Sequence, residues 1–309
     1  MIESDMLAPE RLELLVQLHE LSTMRAVANA SGMSVSSVSQ HLAALEKSLG
    51  RPLTEKVGRR VRLTPLGEEL VNMARPVLDS LREIEDRARS ETREVRGHLR
   101  VAAFNSALAP LAIPVCAEMS REYQNLTLSL TEQEPDQSVP LVRAGQIDLA
   151  ISASFGPPVD TGRSSDLVTV PLLSDTLCAV LPPTHPLAAS DSVSIDQLAD
   201  DPWIVEPATT YLSSHVTSLS DAAGIAPRHV ASLNSYHAIL QAADQGLGVS
   251  LLPQLATVGG PAGVSVVPLE PRVDRSIVLV TTQAQTARLS GRTLIGRVLR
   301  QARLHERRS

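Results

Sequence analysis

Between Ser22 and Gly50 the apolar positions fall into two short helical registers separated by a glycine. Ser22 or Thr23 can cap the first, and its Ala26, Val27, Ala28 and Ala30 are small enough to let another helix approach closely. Ser31-Gly32 breaks that register, with Gly32 suited to a turn residue at positive φ. Ser34 then caps a second helix whose Val38, Leu42, Leu45 and Leu49 step by four, three and four, a single buried face. Ser36, Ser37, Gln40, Ala44 and Lys47 mark the opposite side. Upstream, residues 8–21 carry Leu12, Leu14, Leu15, Leu18 and Leu21, a wide stripe fit to pack behind the pair. Downstream, two short extended runs flank Gly58 and read as a β-hairpin.

From Pro65 the pattern changes to one long helix. Pro65 suits a first-turn position, and Glu68-Glu69 favour the positive helix end. Leu66, Leu70, Met73, Val77, Leu81, Ile84 and Ala88 form a narrow stripe that suits a coiled-coil seam. The helix is expected to run from 65 to about 92, roughly 40 Å. One helix cannot bury that stripe alone, so pairing with a second subunit is expected; packing on the chain's own core is the alternative. Pro76 removes a hydrogen bond in the interior and is expected to kink the helix. The charged run Arg87 to Arg96 ends it, with Gly97 as the joint.

After His98 strands and helices alternate. Strands are expected at 99–104, 126–130, 147–151, 167–172, 176–181, 203–205, 229–233, 248–252, 264–268 and 275–281. Helices are expected at 107–123 (irregular at its start because of Pro110 and Pro114), 139–144, 212–223, 236–244 and 286–304. The alternation argues for an α/β fold with mostly parallel sheets.

Length and composition narrow the class. A chain of 309 residues is long enough for more than one domain, and 43% apolar with 20% charged residues describes a globular protein. No apolar run approaches the length of a membrane span, and the acidic N-terminus lacks an apolar signal core, so a cytoplasmic protein is expected. Cys116 and Cys178 stand alone and fit a reducing compartment; they read as small buried hydrophobes, with a thiol redox switch as the alternative.

Charge placement changes the picture more. Net charge is −6, yet residues 51–62 hold Arg51, Lys56, Arg59, Arg60 and Arg62 against Glu55 alone. Basic charge beside a helix pair with short polar side chains points to DNA: serine and glutamine can reach base edges in the major groove, while the hairpin touches backbone or minor groove. An ordinary helix pair with a solvated polar face is the alternative. The candidate DNA-binding residues are Ser34, Val35, Ser36, Ser37, Ser39, Gln40, His41, Lys47, Lys56, Arg59, Arg60 and Arg62.

Leu12 to Glu20, Arg25-Ala26-Val27-Ala28, Ser34 to Leu49, Leu53 to Lys56 and Arg59 to Gly67 follow one another in an order and spacing that resembles the LysR-type transcriptional regulators over about the first 90 residues. Family members commonly carry Gln-Pro where Val35-Ser36 stands, Phe and Arg where Thr54 and Lys56 stand, and Arg at Gln40, so no operator sequence transfers. The resemblance implies a winged helix-turn-helix over 1–64, a dimerising linker helix over 65–93, a hinge at 94–97, and an effector-binding domain over 98–309. That domain would be an α/β, two-lobed, periplasmic-binding-protein-like fold, with lobe one from 98–169 and 273–309 and lobe two from 170–272. It further implies double-stranded DNA and a small-molecule effector as partners, a homodimer pairing into a homotetramer, no cofactor and no membrane. Asp148 to Ile151, Gly246 to Val249 and Leu251-Leu252-Pro253 stand where such regulators have similar stretches.

Ligands of open α/β sheets sit beyond the carboxyl ends of strands, near helix N-termini. Short polar residues follow such ends here: Asn105 and Ser106, Ser152 and Ser154, Glu206 with Thr209 and Thr210, and Tyr236. By resemblance these regions line the effector cleft, although Ser, Thr and Asn favour caps and loops in any case. Uncharged donors with helix ends would suit a small carboxylate, whereas an inward Glu206 would suit a cationic or hydroxyl-bearing group; an aromatic content of 2% offers few stacking surfaces.

No Walker lysine motif, dinucleotide fingerprint, His-Glu-x-x-His or Gly-x-Ser-x-Gly is present, and His185, His215, His229 and His237 are scattered, reading as surface or cap positions rather than metal ligands. An enzyme is therefore not expected. The alternative to a DNA-binding regulator is a cytoplasmic small-molecule-binding protein whose N-terminal segment serves only assembly.

Overall fold

In this computed structural model the chain is described over residues 7–57, 60–89, 94–159 and 166–306. It divides into two compact units, 1–93 with 144–146, and 94–143 with 147–309.

The first unit opens with α1 (Pro9–Leu21), α2 (Met24–Ser31) and α3 (Val35–Leu49). Each boundary has a local cause. Ser22 and Gly32 close α1 and α2 in the left-handed region, at φ 58° and 68°. Thr23 Oγ1 accepts from Ala26 N at 3.2 Å and Ser34 Oγ from Ser37 N at 3.1 Å, so both predicted caps form. Leu15, Val27, Val38 and Leu45 are completely buried where the three helices meet. Then β1 (Thr54–Val57) and β2 (Arg60–Leu63) pair antiparallel, with Glu55 opposite Arg62. The expected hairpin tip, Gly58 and Arg59, lies outside the described residues. α4 (Pro65–Arg89) follows and continues through Pro76. It carries two apolar stripes rather than the single predicted one. Val71, Ala74 and Leu78 are buried in the core shared with α1–α3, while Met73, Val77 and Ile84 of the predicted seam stay exposed. An ion pair between Arg75 and Glu20 at 3.2 Å adds to the first contact.

The second unit begins with β3 (Gly97–Ala103), α5 (Asn105–Ala107), a widened π turn at Leu108–Ala112, and α6 (Ile113–Glu122). The irregular start expected from Pro110 and Pro114 is that π turn. β4 (Leu126–Glu132), α7 (Pro135–Arg143) and β5 (Leu149–Phe155) complete the first pass. β6 runs from Leu167 to Leu181 without interruption. Two strands were expected there. The pairing shifts register opposite Ile277 and Val278, a β-bulge at Leu172 just before the expected gap at 173–175.

Next come a 3₁₀ turn (Ile195–Leu198), β7 (Pro202–Val205), α8 (Tyr211–Ala222), β8 (Arg228–Ser232), α9 (Tyr236–Asp244), β9 (Ser250–Pro253) and β10 (Ser265–Pro268). β11 (Asp274–Thr282), α10 (Gln283–Ala287) and α11 (Leu289–Glu306) end the fold; extended backbone at Arg288 splits the single last helix that was expected.

Strand order is β10-β6-β11-β5-β3-β4, with β9 also on β6. β3 is parallel to β4 and β5, and β7 to β8. β11 is antiparallel to β5 and β6, and β6 is antiparallel to β9 and β10. The expectation of mostly parallel sheets is therefore wrong, and the reason is topological. The chain leaves one half along β6 and returns along β11, so these two strands run side by side in opposite directions. Their early and late segments serve two cores. One packs Leu99, Phe104, Met119, Ile151, Ile277 and Val298. The other packs Leu177, Leu181, Trp203, Ile204, Ile239 and Leu251. They are the two lobes of this unit.

Gly67 marks a close approach in the first unit. A Cβ there would lie 2.2 Å from the carbonyl oxygen of Leu53 and 3.3 Å from Leu63 Cβ. Backbone cannot swing aside as a flexible side chain can. Gly67→Ala is expected to destabilise the head by about 2–4 kcal/mol while leaving the second unit's unfolding unchanged. Amide exchange resolved by residue checks this, with protection falling across α1–α3 and not across β3–β5.

Candidate nucleic-acid interface and ligand cleft

On α3, burial of Val38, Leu42 and Leu45 turns the other side outward. Ser34, Val35, Ser36, Ser39, Gln40 and Lys47 are exposed; Ser37 and His41 are half-buried, as is Ala44, which the sequence reading had placed on the outer side. Ser34 and Ser36 share a hydrogen bond at 2.8 Å, so the start of the helix presents a pair of coupled hydroxyls. The hairpin adds exposed Lys56 and Arg62, and Arg51 precedes it, also exposed. Arg60 lies on β2 with its side chain outside the description, and Arg59 is outside it altogether. One residue absent from the candidate list fixes this geometry. Glu46 Oε1 accepts from Leu53 N and Thr54 N, both at 2.8 Å, and from Thr54 Oγ1 at 2.9 Å. A single carboxylate oxygen on α3 thus holds the first strand of the hairpin. Such a group on a face otherwise favourable to DNA would be unfavourable if it were free; here its charge is spent on three donors.

In the second unit the side chains converge where β6 and β11 cross between lobes. Arg275 and Asp175 are register partners on those strands, and both are buried. Arg275 Nη2 donates to Asp175 Oδ2 at 2.7 Å and to Ser106 Oγ at 2.6 Å, and its Nε donates to Asp175 Oδ2 at 3.0 Å. Asp175 Oδ1 accepts from Leu255 N at 2.9 Å. The guanidinium lies 4.9 Å from the Phe104 ring centre and 5.9 Å from that of Phe155. Phe155 in turn stacks on Tyr211 at 5.7 Å and on His215 at 3.8 Å. Tyr211, the first residue of α8, ties the lobes together. Its N–H donates to Glu134 Oε2 at 3.0 Å, and its hydroxyl oxygen accepts from Phe155 N at 2.7 Å.

Glu206 completes the cluster. It is 8% exposed, and Tyr236 Oη donates to it at 3.5 Å. Burial first, and then the Glu134 carboxylate, push its pKa up to about 7; Tyr236, Arg275 and Thr210 oppose the rise. Burial likewise raises Tyr236 and lowers His215. A separate cavity of about 600 Å³ opens between α8 and the β7–β8 pair, lined by Leu212, Val216, Ser220, Val230 and Ala231, with Glu206 at its margin.

Of the eight cleft candidates, Ser106, Glu206 and Tyr236 join this cluster. Thr210 caps α8 through Ser213 N at 3.2 Å. Asn105 Nδ2 donates to Glu132 at 2.9 Å, at the rim of the first lobe. Ser152 is fully buried with its hydroxyl on Pro135 O at 3.0 Å, Ser154 donates to Pro157 O, and Thr209 is exposed. The reading missed Phe104, Glu134, Phe155, Asp175, Tyr211 and Arg275. A signal did exist: the chain holds two Phe and three Tyr in all, and Phe104 closes the strand predicted at 99–104 while Phe155 lies four residues beyond the one predicted at 147–151. Few aromatics was read as few stacking surfaces, yet four of those five rings meet here. His215 is likewise a stacked ring in this cluster, and not a surface or cap residue.

The raised carboxyl works against folding as pH increases. Unfolded, Glu206 ionises near 4.5; folded, near 7. Between those values the unfolded state loses the proton first, so stability falls through this window and stays reduced above it, by about 3 kcal/mol. Glu206→Gln is therefore expected to raise the melting temperature of the second unit at pH 8 and to leave it unchanged near pH 4.5. Calorimetry across that range reads the opening gap.

Comparison with known proteins agrees with both halves. Residues 9–68 match the model of the bacterial regulatory helix-turn-helix protein, lysR family, and residues 92–303 match the LysR substrate binding domain. Among curated relatives, the HTH-type transcriptional regulator TtuA of Agrobacterium vitis is 29% identical over 262 residues, 84% of each chain. A probable hydrogen peroxide-inducible genes activator of Mycobacterium avium is 31% identical over 249 residues, 79% of this chain and 77% of that one. Among solved structures, a full-length OxyR variant from Pseudomonas aeruginosa matches with a TM-score of 0.74 at 23% identity, covering 97% of this chain and 95% of that one. Full-length CbnR complexed with its target DNA matches at 0.61 and 20% identity, covering 96% and 99%.

Proposed function

Because the chain belongs to the LysR family of transcriptional regulators, we propose that α3 reads a major groove directly and that a small molecule held at the strand crossover modulates that binding. The observation that carries the DNA half is the outward face of α3: coupled Ser34 and Ser36, exposed Ser39, Gln40 and Lys47, and the hairpin cations Lys56 and Arg62 held beside them by Glu46. Short polar side chains at a helix N-terminus supply base contacts, and the cations supply phosphate contacts. Arg59 and Arg60 belong to the same proposed set. A solved relative of the same fold is bound to its target DNA.

The exposed stripe Met73, Val77 and Ile84 on α4 supports a homodimer through that helix, since apolar groups at this spacing gain free energy only by burial. Paired heads would then meet a dyad-symmetric site, and pairing of dimers into a tetramer extends the same logic. Ligand in the cleft would favour one lobe arrangement, by as much as its affinities for the two arrangements differ. No step in this scheme requires catalysis, a cofactor or a membrane, and it places the protein in the cytoplasm with its DNA.

Three relatives' names invoke hydrogen peroxide. The thiols of this chain do not favour that chemistry here. Its two cysteines, Cys116 and Cys178, are both buried, and burial pushes each up to about 11, far from the thiolate that peroxide attacks.

Fluorescence anisotropy on duplexes from the DNA flanking its own gene tests the reading. Ser36→Ala with Gln40→Ala is expected to erase most of the preference for the cognate duplex, about 1–3 kcal/mol per lost base contact. Lys56→Ala with Arg62→Ala should weaken all duplexes alike and flatten the dependence on salt by about one unit of slope per contact. Unchanged sequence preference in the first pair would remove α3 as the reading helix. No binding at any salt would leave a ligand-binding protein with an assembly segment.

A further inference from the structure

Charge and ring placement in the cleft specify the ligand's chemistry, taking the strand-crossover cluster as the effector site proposed above. Three carboxylates gather there: Asp175, Glu206 and Glu134. Among the described residues of the cluster the cation is Arg275, whose Nε and Nη2 are engaged by Asp175 and Ser106. His215 cannot serve as a second one, because burial lowers its pKa. Three carboxylates therefore share one cation, which is ion-paired to Asp175, and Glu206 and Glu134 lie in one another's field. Neither is idle as an acceptor, but among the described residues neither forms an ion pair: Glu134 accepts a backbone N–H from Tyr211, and Glu206 accepts from the Tyr236 hydroxyl. The first of these also matters for what is excluded. The N-terminus of α8, where an incoming carboxylate would find free N–H groups, already holds the protein's own Glu134.

Aromatic rings supply the independent observation. Phe104 and Phe155 flank Arg275, Tyr211 stacks on Phe155 and Tyr236 bonds to Glu206, in a chain with two Phe and three Tyr. A ring face attracts a cation through its quadrupole, and rings with carboxylates make the usual surround for ammonium groups. Arg275 is an internal example of what this surround accepts: a cation seated over Phe104 and Phe155 with a carboxylate beside it. A carboxylate ligand would instead add a fourth negative charge against Glu134 and Glu206, in a partly dehydrated site where like charges repel strongly.

We propose that the cleft takes a small ligand carrying a protonated amine, whose N–H groups are received by Glu206 and Glu134 and whose charge rests against the Tyr211, Tyr236 and Phe155 rings. The ammonium acts as a donor only, which suits two acceptors. Its arrival would compete with Tyr211 N for Glu134, and Tyr211 is the residue that bonds to both lobes. A ligand of this class thus reaches the contact that sets how the lobes are joined.

The test is thermal denaturation of the full-length protein with matched probes, n-butylammonium, n-butyrate and n-butanol, each up to about 50 mM at pH 8. Butylammonium is expected to stabilise the second unit at concentrations about tenfold or more below either analogue. Glu206→Gln should abolish that stabilisation although the variant itself melts no lower than the parent, which separates lost binding from a damaged fold. If butyrate stabilises and butylammonium does not, the amine assignment is overturned while the cleft remains a ligand site. If butanol matches butylammonium, charge recognition is refuted and apolar burial explains the binding. If no probe shifts either protein, both the amine assignment and the cleft reading fail.

Discussion

Two strands carry the chain between the lobes of its larger unit, and a buried ion pair clamps them side by side. Arg275 on β11 and Asp175 on β6 face each other in register, hydrogen-bonded twice, with Ser106 Oγ accepting from the arginine and Leu255 N donating to the aspartate. A buried pair of this kind is costly to desolvate and becomes tolerable only when its hydrogen bonds are complete. Here Nε and Nη2 of the arginine and both oxygens of the aspartate are bonded, and the partners come from distant stretches of sequence. The crossover is thereby fixed at one register. The Phe104 and Phe155 rings, the start of α8 and Glu206 are then assembled around it. Ligand chemistry is downstream of that clamp, because the clamp ties the cluster's cation to Asp175 and, among the described residues, leaves Glu134 and Glu206 outside any ion pair.

A similar economy governs the smaller unit. Glu46 ties the hairpin to α3 through three donors, and Gly67 lets the start of α4 pass within contact of Leu53 carbonyl. The outward face of α3 and the cations of the hairpin are therefore placed relative to one another by backbone contacts, not by the residues proposed to touch DNA. Those residues remain free to vary with the sequence to be read. Two stripes on α4 divide its work: one belongs to the head's own core, and the other stays exposed at Met73, Val77 and Ile84.

Local signals made much of the fold legible before the structure. Caps at Thr23 and Ser34, the αL glycine at 32 and the 3.6-residue spacing on α3 act over a few residues, so the head could be read directly. What escaped was set by long-range pairing. The pattern reads as two strands with a gap at 173–175, but pairing with β11 carries β6 through that gap, with a bulge at Leu172. Strand direction was misjudged because alternation of helix and strand does not say that the chain crosses over and returns. In the cleft, polar residues at strand ends were found, whereas Arg275 and Asp175 were not: each reads locally as a charged residue flanking an apolar strand. Their meaning lies in being 100 residues apart and adjacent in space. Ser152 shows the opposite failure, a strand-end hydroxyl already satisfied by Pro135 O.

The dependence of the cleft on its clamp can be measured by a double-mutant cycle on the full-length protein, following unfolding of the second unit for Arg275→Met, Asp175→Leu and the pair together. Each single change leaves one buried charge without its partner and is expected to cost about 3–5 kcal/mol, while the double change, which leaves none, should cost much less than their sum. Additive and small effects would contradict the account, since the crossover would then be held by packing alone and the ion pair would be incidental to the site.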